Sequence, residues 1–298
     1  MEKEILNDYI KAGKIAAKAL KYGKKLIQID ASLLDVCEKV EQKIIDLGGQ
    51  IAFPVQISLN NIAAHFCPDA DDQTVFKEED LAKLDVGVHI NGYIGDTALS
   101  VDLGDNKELV KASEEALDNA LKIIKEGVTL AEIGRTIQDS ITKYGYSPIK
   151  NLSGHGLSQW KIHHKPNIPN FDTKDNTRLE KSMVIAIEPF ATNGVGTIFE
   201  SSNPTLFSLV QKKSVRSNFA REILKEIELY NNLPFTTRWL SKKFGLGKTK
   251  LALRELLQAE IIQAHVPLPE KANGLVSQAE HTAIILEKPI ITTKIDED

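Results

Sequence analysis

The chain is poor in cysteine and has no long apolar run. Only two of its 298 residues, Cys37 and Cys67, are cysteines. They stand in no CxxC or zinc spacing, which excludes a disulfide framework and leaves two free thiols as the expectation. No apolar stretch approaches the ~20 residues of a membrane span, and the first residues, Met1-Glu2-Lys3-Glu4-Ile5-Leu6, lack the basic-then-apolar order of a secretory signal. Residence in the cytoplasm, away from any membrane, is therefore expected.

The remaining composition, 42% hydrophobic and 26% charged, is ordinary for a globular chain with room for one large domain or two smaller ones. The net charge of −4 hides an imbalance: from Gln211 to His265 there are eleven Lys or Arg against five Glu, a local +6 that leaves −10 elsewhere. Such a split marks a module with its own surface chemistry.

The most informative stretch is Lys83–Ser100. Asn91-Gly92 tolerates the two positive φ values of a type I′ turn, and strand-forming residues flank it. A two-residue loop sets Ile90 opposite Tyr93 and Asp96 opposite Gly87. Side chains alternate along a strand, so Asp85 shares the face of Asp96, about 7 Å away on the diagonal. Two such carboxylates repel, and burial raises at least one pKa. Either they face water or a cation lies between them.

Two segments share a pattern offset by 97 residues. Ser32-Leu33-Leu34-Asp35-Val36 runs through Val40-Glu41 and Ile44 to Gly48, and Thr129-Leu130-Ala131-Glu132-Ile133 runs through Ile137-Gln138 and Ile141 to Gly145. Each predicts a capped amphipathic helix ended by glycine, and together they predict a duplicated α/β half. An extended segment after each ends near a histidine, His65 or His155. Halves related by a pseudo-two-fold bring both to one central cleft, where sites form.

Between Asn218 and His265 the pattern changes. Phe219–Leu229 predicts a helix, Thr236–Phe244 a short helix, Gly245–Gly247 a turn, Lys248–Gln258 a second helix and Ile261–Val266 a wing strand, which is helix-turn-helix grammar.

Three further chemistry-bearing residues stand at strand-like places. His155 lies between two glycines, which predicts ligand room and a sharp turn. Glu188 ends the apolar run Met183–Ile187, and Glu280 precedes the β-rich run His281–Leu286. An acid beside a buried strand is costly unless paired or bound to metal.

The full pattern resembles the pita-bread metallopeptidases, and among them the type II methionine aminopeptidases in their compact, archaeal-like form. The resemblance covers almost the whole chain. It rests on Asn60-Asn61-Ile62-Ala63-Ala64-His65, on Lys83 to Asp96, on Ser153-Gly154-His155-Gly156, on Trp160-Lys161-Ile162-His163, on Ala186-Ile187-Glu188-Pro189-Phe190 and on Gln278-Ala279-Glu280-His281-Thr282. The 92 positions from Glu188 to Glu280 also fit type II, which carries a winged-helix-like insertion there.

The resemblance implies an α+β pita-bread fold with an internal pseudo-two-fold. The catalytic domain is expected over 1–210 and 266–298, with an inserted winged-helix-like helical subdomain over 211–265. It implies metal ligands at Asp85, Asp96, His155, Glu188 and Glu280, with Asp85 chelating one ion, Asp96 and Glu280 bridging two, and His155 and Glu188 completing the other. Two divalent ions such as Co, Mn, Fe or Zn suit that donor set, and a bridging water or hydroxide attacks the scissile peptide carbonyl.

His65 and His163 are then expected beside the reacting amide, Glu188 also shuttles the proton, and Phe53 and Ile162 line the methionine pocket. The implied activity is removal of initiator methionine from nascent chains whose second residue is small. By that rule the bulky Glu2 keeps this chain's own Met1. A monomer is expected, with a weak ribosome contact through the basic insertion. His164, Cys67 and His265 depart from the usual pattern and bear on substrate preference.

Two other readings stand beside this one. The first is a non-catalytic winged-helix nucleic-acid binder using Arg238, Lys242, Lys243, Lys248 and Lys250, against which all five ligand positions are filled. The second is a proline-directed member of the same fold, against which the catalytic repeat begins at about residue 30, where such members usually carry a large extra N-terminal domain.

Overall fold

The computed structural model describes residues 1–294. The first half runs α1 (Lys3–Leu26), α2 (Leu33–Asp46), β1 (Gln50–Leu59), β2 (Leu81–Ile90) and β3 (Tyr93–Asp102). The second half runs α3 (Lys107–Ile123), α4 (Leu130–Thr142), β4 (Ser147–Pro148), β5 (Ser153–Ser158), β6 (Lys161–Pro169), β7 (Val184–Ile187) and β8 (Phe190–Thr192). Next come β9 (Leu206–Leu209), α5 (Asn218–Glu228), β10 (Phe235–Thr236), α6 (Thr237–Phe244), α7 (Leu246–Gln258) and β11 (Ile262–His265). The described chain closes with β12 (Val276–Gln278), β13 (His281–Ile284) and β14 (Ile290–Ile291).

The repeated helices α2 and α4 start where their hydroxyls predict. The Asp35 N–H donates to Ser32 Oγ at 3.3 Å, while Thr129 and Glu132 make a complete reciprocal box in which the Thr129 N–H donates to Glu132 Oε2 at 2.8 Å. Gly48 and Gly145 follow at φ 78° and 79°, the left-handed conformation that ends a helix. The two helices bury corresponding faces, Leu33, Val36, Val40 and Ile44 against Leu130, Ile133, Ile137 and Ile141. Glu41 lies on the same buried stripe of α2 and breaks its apolar pattern.

Strands pair as β1-β2-β3, all antiparallel, and as the five-stranded β14-β13-β7-β5-β6; β12, β8 and β4 form a small third sheet. One apolar core fills the first half around Leu33, Ile44, Ile57 and Leu84, and another fills the second around Leu109, Ile133, Ile137 and Ile185. The basic segment, together with β9 just before it, has a separate core built from Phe207, Ile223, Phe235, Leu240, Leu256 and Ile261 around helices α5 to α7 and the sheet β10-β9-β11.

In that segment α7 begins at Leu246, so the expected turn shrinks to Gly245 at φ 82°. The nucleic-acid reading fails here on Arg238. Its guanidinium is fully buried and forms a fork with Glu41, both N–H···O distances being 2.7 Å. The other four cations are matched by acids: Lys242 with Glu38 at 2.7 Å, Lys243 with Glu226 and Lys248 with Glu222 at 2.5 Å each, and Lys250 with Asp69 at 3.7 Å. A phosphate would have to displace them.

Candidate metal centre

The centre forms where the β1-β2-β3 sheet meets the five-stranded sheet. Asn91 and Gly92 take φ 52° and 85°, and the hairpin pairs Ile90 with Tyr93 and Gly87 with Asp96, as the dipeptide predicts. Asp85 and Asp96 therefore face the same cavity. The water-facing alternative ends there, since Asp96 is 3% exposed and Oδ1 of each carboxylate is buried without a hydrogen-bond partner.

His155 sits on the central strand β5. Its Nδ1 lies 3.2 Å from the Gly156 carbonyl, which can only accept, so Nδ1 carries the proton and Nε2 presents a lone pair. That lone pair faces Glu188 Oε1 at 3.6 Å and Asp96 Oδ2 at 3.8 Å. These gaps are too wide for hydrogen bonds but suit donors sharing an ion with bonds of about 2 Å. Ligand atoms of Asp96, His155 and Glu280 all lie within 4.8 Å of one another. Glu188 and Asp85 line the same cavity, so all five expected ligands converge there.

Two threonines lock the sheets together at these carboxylates. The Asp96 N–H donates to Thr282 Oγ1 at 2.9 Å while that hydroxyl donates back to the Asp96 carbonyl at 2.8 Å. Thr97 Oγ1 donates to the Glu280 carbonyl at 2.8 Å, and the Glu280 N–H donates to Ala98 at 3.0 Å. Gln278 Nε2 donates to Glu188 Oε2 at 3.3 Å, leaving Oε1 directed to His155.

With no cation, four carboxylates crowd one apolar hollow. Burial, then mutual repulsion, raises the pKa of Asp96, Glu188 and Glu280, and burial raises that of Asp85 to about 7. Burial, with His163 adding to it, lowers His155 to about 3 and keeps it neutral. Orphaned oxygens, a lone pair and excess negative charge together fit divalent cations.

A pH dependence follows for the metal-free protein. Carboxyls whose folded pKa is raised stabilise the fold below their unfolded value and lose that contribution as pH climbs through the folded value. The melting temperature of metal-free protein is therefore expected to fall from pH 4 to about pH 7, and a saturating divalent metal to abolish most of the fall. Calorimetry with and without chelator reads both curves; identical slopes contradict the assignment.

The cavity holds about 210 Å³, below the roughly 300–1,000 Å³ of drug-sized pockets and suited to one side chain. Phe53 and Ile162 form apolar wall, and His65, His163 and His265 ring the remainder. Residues 7–216 match the model of metallopeptidase family M24. The chain belongs to that family.

Its relatives within M24 include methionine aminopeptidases. The protein of that name from Archaeoglobus fulgidus is 47% identical over 296 residues, 99% of this chain and 100% of the relative. Two solved structures share the fold: a thermophilic Arx1 at 16% identity, TM-score 0.88, covering 100% of this chain and 93% of that one, and the methionine aminopeptidase of Thermotoga maritima at 24% identity, TM-score 0.73, covering 99% and 98%. The fold is the α+β pita-bread fold that the motifs imply.

The M24 chain places most expected site residues at one cavity. His65, in the left-handed region at φ 65°, and His163, with its ring 4.8 Å from that of His155, both line it. Burial, then His265 and His163, lowers the His65 pKa to about 3; burial and His265 lower that of His163. His164 points elsewhere, its Nδ1–H donating to the Lys165 carbonyl at 2.7 Å. His265 does reach the cavity, with Nε2 2.9 Å from Ser208 Oγ. Cys67 does not: it is buried beside Arg238, and so is no ligand in this arrangement.

The glycines beside His155 have another purpose than the one expected. A Cβ on Gly154 would lie 2.3 Å from the Ala186 carbonyl oxygen and one on Gly156 2.3 Å from that of Lys165. They admit neighbouring strands, not a ligand, and neither takes a positive φ. Gly87 is tighter still, since its Cβ would meet the Phe53 ring at 2.1 Å. Gly87→Ala is therefore expected to push Phe53 into the cavity and weaken methionine binding severalfold, as calorimetry would show; unchanged affinity contradicts this packing.

Gln56, Thr97, Gln278 and Thr282 carry no role in the sequence reading. For Thr97, Gln278 and Thr282 an amide or hydroxyl beside an acid motif is the only signal in the sequence, and Gln56 leaves none.

Proposed function

We propose that this M24 protein removes N-terminal methionine from polypeptides whose second residue is small. The observation that carries the reading is the convergence of Asp85, Asp96, His155, Glu188 and Glu280 on a single-side-chain cavity walled by Phe53 and Ile162. The five would hold two divalent ions, whose chemistry when bound would be to acidify a water and polarise the scissile carbonyl.

The remaining chemistry belongs to the chain. Glu188 takes a proton from the water and returns it to the leaving amine. His65 and His163, held neutral, present N–H donors to the amide and to the oxyanion that develops on its carbonyl. The apolar wall takes the methionine side chain, and the cavity's size excludes bulk.

The same proposal includes a catalytic domain over 1–210 and 266–298, its last four residues outside the described ones, with an inserted subdomain over 211–265. A separate apolar core around α5 to α7 supports an inserted unit, and β9 at Leu206–Leu209 packs with it. No described helix is long and apolar enough to cross a membrane. We further propose a cytoplasmic monomer acting on nascent chains, in weak contact with the ribosome through the insert. Charge reversal at Lys242 and Lys243 is expected to reduce ribosome co-sedimentation; unchanged sedimentation removes that contact.

A panel of peptides varied at the first two residues tests the activity. Met-Ala-Ser is expected to be cleaved, and Met-Leu-Ser and Ala-Ala-Ser to resist. Equal cleavage of all three contradicts the proposal.

A further inference from the structure

Phe53 and Gln56 both line the cavity although they stand three apart on β1. In a regular strand that odd separation sends side chains to opposite faces. The ladder explains the exception. Phe53 pairs with Gly87 and Gln56 with Asp85, so three steps on β1 match two on β2, and the extra residue forms a bulge.

A bulge frees backbone donors that need partners. Pro54 has none to offer. The Val55 N–H donates to Glu41 Oε1 at 3.1 Å, and Glu41 is the acid on the buried stripe of α2. From the inserted segment, Arg238 donates to both oxygens of that carboxylate, and Trp239 Nε1 donates to Oε2 at 3.0 Å. Arg238 Nη2 also lies 3.5 Å from Sγ of Cys67, two positions beyond His65. Gln56 Oε1 has no partner, so the bulge delivers an unsatisfied acceptor to the cavity.

We infer that Arg238 and Glu41 are positioning residues for substrate: the guanidinium of the insert fixes the carboxylate that holds the β1 bulge, and the bulge aims Phe53 and Gln56 at the bound methionine. The inference rests on reading the cavity as a methionine pocket. It gives the insert a part in substrate binding through a residue that touches no substrate.

The double variant Glu41→Leu/Arg238→Met tests it, because apolar residues of similar volume often replace a buried ion pair without loss of stability while the Val55 N–H loses its acceptor. Expected are a melting temperature near that of wild type, a KM for Met-Ala-Ser and a Kd for free methionine each raised about tenfold, and kcat little changed, the pattern of lost uniform binding. Glu41→Gln keeps one acceptor oxygen for Val55 but loses the second half of the fork, and is expected to raise KM and Kd less than the double variant does. Wild-type KM and methionine affinity in the folded double variant overturn the inference, as does an equal defect in Glu41→Gln.

Should the double variant not fold, Arg238→Lys keeps the charge without the fork. Raised KM and Kd there support the inference, and wild-type values overturn it. Wild-type protein that neither cleaves Met-Ala-Ser nor binds methionine overturns this inference and the proposed function together, whereas variants that match an active wild type overturn the inference alone.

Discussion

Replacing Asp96 by Asn is expected to lower metal-dependent cleavage of Met-Ala-Ser by more than about 100-fold, since changes in the outer shell of a metal site alone cost 10–100-fold. The carboxylate is buried, its Oδ1 has no protein partner, and its ligand atom lies within 4.8 Å of those of His155 and Glu280. The same substitution has the opposite sign for stability without metal. Asp96 is the leading charged neighbour that raises the pKa of Glu188 and Glu280, so removing its charge relieves repulsion. Metal-free Asp96→Asn is therefore expected to melt at or above the wild-type temperature at pH 7, while losing the rise in melting temperature that metal gives the wild type. Lower metal-free stability with retained cleavage contradicts the assignment of Asp96 as a ligand.

Arg238→Ala alone is expected to cost about 3–5 kcal/mol, the penalty for leaving a buried charge without its partner. At ~2–4 °C per kcal/mol for a chain of this size, the melting temperature falls by roughly 6–20 °C. The fully buried guanidinium and its two 2.7 Å hydrogen bonds to Glu41 are the reason. Exposed Lys242→Ala, by contrast, is expected to cost under about 1 kcal/mol, because its pair with Glu38 is solvated. Thermal unfolding of the two variants separates the cases. Similar small shifts for both contradict the clamp and reopen Arg238 as a surface cation.

That contrast marks what the sequence could reveal. The hairpin was legible because Asn91-Gly92 fixes a local register, and the register alone sets Asp85 and Asp96 on one face. The repeated helices were legible because caps and apolar spacing are local too. The ligands were legible by residue type, acids and a histidine where a buried strand tolerates neither unpaired. Glu41 left a signal, an acid on an apolar stripe, but its partner lies 197 positions away and no local rule pairs them.

The bulge on β1 was hidden for the same reason, since it is defined by pairing with β2 and by the carboxylate that takes the Val55 N–H. The glycines around His155 misled because close approach by another strand and room for a ligand leave the same mark in a sequence. Arg238 misled because a basic residue in helix-turn-helix grammar looks the same whether it meets phosphate or a buried acid.

Assignment of the five convergent donors as metal ligands is the central claim. Metal content measured per chain, alongside cleavage of Met-Ala-Ser before and after chelation and metal return, tests it most directly. Two divalent ions per wild-type chain are expected, with cleavage lost on chelation and restored on return. A chain that binds no divalent metal, or that cleaves equally well without it, contradicts the account.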